Sequence, residues 1–207
     1  MKQKVNREVF FKESILRISS SLGIEKALYQ CYLYFKDFIP LDHLMLMHPD
    51  PERNQMNVLA VASDAGGAMD DRHWHVPPSL MKKMQSNEIP AIMIANEPET
   101  HFVAKHALSL GVRNRSVLIV RLFIADQLVG SLIFSAKGHH QYNQKHANLV
   151  APLREPFAIA LSNGLHYQEL IQTKEFLVDD NRYFQDELRK TVGEEIIGAD
   201  YGLKGVM

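Results

Sequence analysis

The chain has 207 residues, which is enough for one domain with a sizeable core and an appendage. Its 23 basic and 24 acidic side chains nearly cancel, which excludes the strongly positive surface of a non-specific nucleic-acid binder. The hydrophobic share of 46% is typical of a globular chain. Cys31 is the only cysteine, and no segment has the composition of a signal peptide or a membrane span. We therefore expect a cytoplasmic protein without a membrane anchor.

Two helices are predicted in the N-terminal part. Apolar residues recur at helical spacing from Val9 to Leu22, where Gly23 follows as a stop. A second helix is predicted from Ile24 to Phe38, and Pro40 ends it. Cys31 falls on the apolar stripe of this helix, which indicates a buried structural thiol.

Short strands and helices alternate in the middle of the chain. The predicted strands are His43–His48, Met56–Ser63, His73–Val76 and Ala91–Ala95, with a loop at Ala65–Ala68. The predicted helices are Ser79–Gln85 and Glu99–Leu110, the second ended by Gly111.

The clearest strand pattern follows. Ser116–Ile124 and Leu128–Ala136 are two apolar runs joined by a short turn at 125–127, which predicts a β-hairpin. Gly130 interrupts the second run, and this favours a bulge or a close packing neighbour.

The chain turns helical again after Tyr142. Pro152 and Pro156 predict a kink or broken first turns, before one long helix from Leu161 to about Leu188. One sheet with helices on its faces is the economical way to bury all these elements.

The order of elements and the hairpin resemble the GAF domain family over roughly residues 8–168. The family's C-terminal hairpin reads as serine, alternating apolar residues, a short turn and an apolar-Gly-apolar strand, as Ser116 to Phe134 do here. The resemblance implies an α+β fold, an α/β sandwich. Its central antiparallel sheet would have N- and C-terminal helices on one face and a ligand cover on the other. Arg121 departs from the family, which often has proline there.

The C-terminal segment is similar to a second family. Leu177–Leu188, Gly193–Gly198 and Gly202–Met207 resemble the entry into the AAA+ domain of bacterial sigma-54-dependent transcription activators. In that family an Ile-Ile-Gly segment lies near the adenine of the nucleotide, and Ile196, Ile197 and Gly198 match it. The resemblance implies a GAF sensor domain at 1–165, a signalling linker helix at 166–192 and the truncated beginning of an AAA+ domain at 193–207.

The chemistry of that ATPase domain is not expected in this chain. The sequence has no G-x-x-x-x-G-K-[ST] loop to bind phosphates. We therefore expect no enzyme and no cofactor here. ATP and magnesium, and the contacts with sigma-54 RNA polymerase and DNA, are expected only in the full-length protein.

The resemblance places a ligand cover at Asp64–Asn87 and Asn96–Arg113. An aromatic side chain and a few convergent polar groups suit a pocket for a small molecule. The candidate ligand-binding residues are Trp74, His75, His101, Phe102, Arg113 and Arg121. Either arginine could hold a carboxylate through bidentate hydrogen bonds, so an unidentified small metabolite, a carboxylate among the candidates, is the expected partner. The competing interpretation is that Trp74 fills the core and that the arginines are surface residues.

Two other chemistries suit the sequence less well. Methionine-sulfoxide reductases and bilin attachment need cysteines at the pocket, whereas Cys31 is alone on a helix. His73 and His75 would share one face of a strand, but His101 and His106 diverge on a helix and no acidic partner is spaced with them. We expect surface or hydrogen-bonding histidines and no metal site.

The predicted long helix carries a heptad pattern. Leu170, Leu177 and Phe184 recur at intervals of seven, and Leu188 follows four residues later. This spacing is typical of a marginal coiled coil, and it predicts a homodimer. The alternative is a solvated helix packed on its own domain.

These patterns together predict a ligand-sensing regulatory module that acts on an attached ATPase through its helix. The alternative is a dimerisation scaffold of a signalling protein, with a collapsed pocket that binds no ligand.

Overall fold

The computed structural model describes residues 6–86 and 88–194. The chain divides after Gly164 into two compact units. Ile197 and Gly198, with the rest of the segment that resembles an AAA+ domain from residue 195 on, lie outside the described residues, and so does the side chain of Leu188. In the described part of the chain, no helix has both the length and the apolar character needed to cross a membrane.

Two of the described helices begin with a side-chain capping contact. The side-chain oxygen of Asn6 accepts hydrogen bonds from the backbone N–H groups of Glu8 and Val9, at 3.0 and 3.3 Å. Asn143 caps a later helix in the same way. The helices are α1 (Arg7–Ile18), α2 (Ile24–Phe35), α3 (Pro78–Gln85), α4 (Gln144–Val150) and α5 (Arg154–Glu194), with 3₁₀ helices at Ala104–Leu110 and Ala151–Leu153.

The strands form one antiparallel sheet of seven. They are β1 (His43–Asp50), β2 (Gln55–Ser63), β3 (Gly66–Met69), β4 (His73–His75), β5 (Ile92–Ala95), β6 (Arg115–Ile124) and β7 (Gln127–Lys137). The strand order is β3-β2-β1-β7-β6-β5, and β4 also pairs with β2. Helices and sheet together confirm the predicted α+β fold.

The long β6–β7 hairpin lies near the centre of the sheet. Ala125 and Asp126 form its two-residue turn, and both have positive φ, at 46° and 64°, as a type I′ turn requires. The register shifts after Leu122, so that Val129 forms a bulge just before Gly130. A Cβ on Gly130 would lie 2.5 Å from the carbonyl oxygen of Met47 and would also meet the side chain of Leu161. Strand β7 therefore has both the bulge and the close packing neighbour that Gly130 favours.

Three predicted elements differ from the structure. The loop predicted at Ala65–Ala68 is mostly β3, in which Gly67 allows an approach to α2 so close that a Cβ would lie 2.5 Å from the Glu25 carbonyl oxygen. The helix predicted at Glu99–Leu110 is a 3₁₀ helix that begins only at Ala104. The long helix begins at Arg154, not at Leu161, because Pro156 falls in its first turn, where a missing N–H costs nothing.

The two faces of the sheet are covered differently. Helices pack on one face, where Phe35 of α2 lies 5.8 Å from the ring of Phe134 on β7 and 6.3 Å from that of Phe157 on α5. The other face is covered by α3 and the 3₁₀ helix Ala104–Leu110, next to the edge strand β4, and its core is rich in methionine. This agrees with the expected arrangement of a helix layer opposite a cover.

The close approach at Gly130 can be tested by substitution. Gly130→Ala should destabilise the fold by about 1–3 kcal/mol, because the backbone of β1 cannot move away from the added methyl group. Gly23→Ala is the matched control, since its Cβ would meet only flexible side chains at 3.1 Å and beyond. The free energy of unfolding in urea measures both. Equal stability of Gly130→Ala and wild type would show that the strands can separate at no cost.

Candidate functional site

A small apolar cavity lies between the sheet and its cover. Its volume is about 40 Å³. The walls are almost wholly apolar, and they include four methionine side chains together with Trp74 and Ser131. The lining residues are Met45, Met47, Met56, Trp74, Met84, Val103, Ala104, Ala107, Leu110, Val112, Val117, Ile119, Ser131 and Ile133. Flexible thioether side chains can reshape such a cavity around a guest at little cost.

Two polar side chains of the lining stand out. Trp74 and Ser131 are only 5% and 3% exposed. Neither the indole N–H nor the hydroxyl has a hydrogen-bond partner within the described residues. An unsatisfied buried polar group costs about 1–3 kcal/mol, so both atoms are ready to bond to a guest molecule. Trp74 supplies only a donor, whereas Ser131 can donate or accept.

Arg121 lies next to this cavity but does not line it. Its Cα pairs with that of Ser131 across the β6–β7 ladder, and its side chain is 1% exposed. The guanidinium donates to the carbonyl oxygens of Ile89 at 2.5 Å, Ser86 at 2.8 Å and Met84. Its Nε–H has no partner in the described part of the chain. Burial, and then the nearby Arg154, lowers the pKa of Arg121 to about 10.

Arg121 is therefore not the surface residue of the competing interpretation, and its role as a carboxylate ligand stays a prediction. It is buried rather than at the surface, and both terminal nitrogens are already bonded to neutral carbonyls. The guanidinium carbon also lies 4.6 Å from the ring centroid of Phe123. Bidentate binding of a carboxylate would require these carbonyls to be released first.

The other candidates lie outside the cavity. His75 is an exposed residue of β4, and Arg113 is exposed after the cavity residue Val112. His101 and Phe102 lie beside a surface recess, with their rings 4.9 Å apart. Of the six predicted ligand residues, Trp74 alone lines the cavity.

His101 has a local structural role. Its Nδ1 accepts hydrogen bonds from the backbone N–H groups of Val103 and Ala104, at 3.3 and 3.2 Å, and so caps the start of the 3₁₀ helix. Partial burial lowers the pKa of His101 below its ordinary value. Within residues 6–86 and 88–194, no group of three histidine, cysteine or acidic side chains could hold a metal ion.

Sequence reasoning missed Ser131 and the methionines. Ser131 is a polar residue inside the apolar run of β7, on the face that points to the cover. A hydroxyl at a strand position that faces the core is a sequence signal that could have identified this site. Met45 and Met47 share one face of β1 by their spacing of two, but Met56 and Met84 are distant in sequence, and no short-range pattern groups them with the other two.

A sheet with helices on one face and a cavity under the opposite cover is the architecture expected of a GAF domain. The chain is similar to the GAF domain of an Acinetobacter phosphoenolpyruvate-protein phosphotransferase, with a TM-score of 0.56 and 10% identity over 81% of this chain and 99% of that one. It is also similar to the phycoerythrobilin-bound GAF domain of a cyanobacterial phytochrome, with a TM-score of 0.54 and 13% identity over 78% and 97% of the two chains. The chain has the GAF fold.

One curated relative extends the comparison in sequence. The formate hydrogenlyase transcriptional activator FhlA of Escherichia coli strain K12 is 29% identical over 99 residues. The matched region is 47% of this chain and 14% of the length of FhlA. The sequence matches no protein-family model.

The capping role of His101 predicts a pH dependence. Because the folded state lowers its pKa, the neutral ring stabilises the fold above the unfolded value near 6.5, and this stability is lost as pH falls through the folded pKa. The thermal midpoint should therefore fall between about pH 7.5 and 5. This fall should be smaller in His101→Ala and unchanged in the exposed control His75→Ala. Parallel curves for wild type and His101→Ala would contradict the assignment.

Proposed function

We propose that this chain is a regulatory domain that binds a small molecule in the cavity beneath its sheet cover and controls an attached AAA+ ATPase of a sigma-54-dependent activator. The observation that carries the proposal is that two residues lining an apolar cavity, Trp74 and Ser131, each have a buried polar atom, Nε1 and Oγ, with no hydrogen-bond partner in the described part of the chain. A cavity that served packing alone would gain stability from apolar residues at both positions.

The similarity to FhlA, a transcriptional activator, supports the regulatory context. The phytochrome domain with bound phycoerythrobilin supports the use of this fold to hold a small molecule. A ligand that binds one arrangement of the domain more tightly would shift its population, and the signal would pass to the ATPase through the linker helix.

The cavity limits what the ligand can be. Its volume of about 40 Å³ holds only a few water-sized atoms. The Trp74 N–H needs an acceptor, and the Ser131 hydroxyl can supply a second hydrogen bond. A small carboxylate, with two acceptor oxygens and few other atoms, meets both requirements. The positive charge of Arg121 on the neighbouring strand favours an anion over a neutral molecule.

The second proposed partner is another copy of this chain. Leu22 and Ile159 expose apolar side chains in a groove of about 490 Å³ between α1, α2 and the first turns of α5, and Val9 and Leu16 of α1 are exposed as well. Separately, in the second unit, Leu170, Leu177 and Phe184 are each at least 60% exposed. Exposed apolar rows of this extent mark an interface.

The small cavity also favours the second candidate function, a dimerisation scaffold without a ligand. In that case water would bond to Trp74 and Ser131, and the exposed helix faces would be the functional surface.

The ligand proposal predicts a specific response of Trp74, the only tryptophan. Titration with small carboxylates, formate and acetate among them, should change its emission and raise the thermal midpoint. Ser131→Ala should weaken binding about tenfold, because one hydrogen bond to a charged ligand is lost. Arg113→Ala is the control and should bind as wild type does. A carboxylate that binds Ser131→Ala and wild type equally would place the ligand elsewhere.

The dimer proposal predicts an effect of one helix substitution. Leu177→Glu should convert the protein from dimer to monomer in sedimentation at micromolar concentration, because a charge replaces a residue of the heptad row. Gln172→Glu, also exposed on α5 but outside that row, should remain a dimer. If wild type sediments as a monomer, the helix rows are not a self-association surface.

A further inference from the structure

We propose that Arg121 is a latch that holds the cover closed over the cavity, and that an anion in the cavity releases it by drawing the guanidinium away from three backbone carbonyls. The release step rests on the proposed ligand function, whereas the latch itself does not.

The latch joins the sheet to the C-terminal end of α3. Arg121 is on β6, and its three acceptors are the carbonyl oxygens of Met84, Ser86 and Ile89, which lie in the last turn of α3 and after it. Carbonyls at a helix C-terminus carry partial negative charge and favour a nearby cation. A single side chain thus fixes the end of α3 to the centre of the sheet.

The same helix closes the cavity. The side chain of Met84 lines the cavity while its carbonyl accepts from Arg121. Movement of the guanidinium would free that carbonyl, and the methionine that forms part of the cavity wall could then move. The latch and the cavity wall are therefore parts of one element.

The latch is built so that an anion can compete for it. All three acceptors of the guanidinium are neutral, and no carboxylate in the described part of the chain acts on its charge. The bonds to the carbonyls already have a charged donor, but an anionic acceptor adds an attraction between two opposite charges that a neutral carbonyl lacks. An anion that reaches Arg121 would therefore displace carbonyls.

Two unpartnered atoms mark the place where the anion would first bind. Arg121 Nε and Ser131 Oγ belong to residues paired across one rung of the β6–β7 ladder, and both are buried without a partner in the described residues. Side chains paired in this way have Cβ atoms about 5 Å apart. A small anion bonded to Ser131 would thus lie beside the free N–H of the guanidinium.

The latch is tested without any ligand. Arg121→Met keeps the length and apolar stem of the side chain but removes the donors. Hydrogen exchange of amides in peptides covering 78–91 should rise about tenfold, and acrylamide should quench Trp74 more strongly. Exchange in α2 should not change, and Arg113→Met, the exposed control, should match wild type. Equal exchange in Arg121→Met and wild type, or a uniform rise through the whole domain, would overturn the latch.

Should Arg121→Met fail to fold, Arg121→Lys carries the same test. It keeps the charge but lacks the planar fork that reaches three carbonyls. A rise in exchange confined to 78–91 is expected, and wild-type exchange there would overturn the latch.

The release step is tested in wild type with sodium formate as the probe and sodium chloride at the same ionic strength as the control. Formate should raise exchange at 78–91 in wild type and leave Arg121→Lys, whose latch is already weakened, much less affected. If formate changes Trp74 emission but lowers or does not change exchange at 78–91, the release step is wrong. If neither formate nor another small carboxylate changes the emission, the proposed ligand function fails, while the ligand-free comparison still decides the latch.

Discussion

Most residues of β6 and β7 are buried, so both faces of the sheet have to be covered here. α1, α2 and the first turns of α5 cover one face with large interlocking rings, and Gly130 lets the β7 backbone approach β1 and Leu161. The opposite face has only short elements to cover it. These short elements do not fill the space completely, and a cavity remains beneath them.

The two covers differ in chemistry as well as in thickness. The helix side depends on aromatic packing around Phe35, which tolerates little change in volume. The cavity side combines flexible methionines with three buried polar atoms, on Trp74, Arg121 and Ser131, that lack partners among the residues the structure describes. These unsatisfied atoms reduce the stability of the fold. The presence of all three on the cavity side is typical of a binding site that is less stable than a fully packed core. The proposed regulation through the cavity side requires only that α3 move relative to the sheet.

Local patterns predicted most of the fold, and the site less well. The hairpin could be predicted because apolar runs flank a short turn. The helix α2 could be predicted because one apolar stripe runs from Ile24 to Phe35. β3 could not be predicted, because its glycines favour a loop and the sequence does not show the close contact with α2. Trp74 was identified as an aromatic in the cover. Arg121 was one of two arginines predicted to be able to hold a carboxylate, because sequence cannot show that the carbonyls of Met84, Ser86 and Ile89 lie within its reach. Ser131 was hidden among the apolar residues of β7.

The central claim is that the cavity beneath the cover holds a small molecule through Trp74 and Ser131. Electron density in that cavity, in crystals of the protein as purified from cells, tests this most directly. We predict density for a non-protein group larger than one water molecule, within hydrogen-bonding distance of Trp74 Nε1 and Ser131 Oγ. A cavity that is empty, filled by rearranged methionine side chains or occupied by a single water molecule would contradict the account.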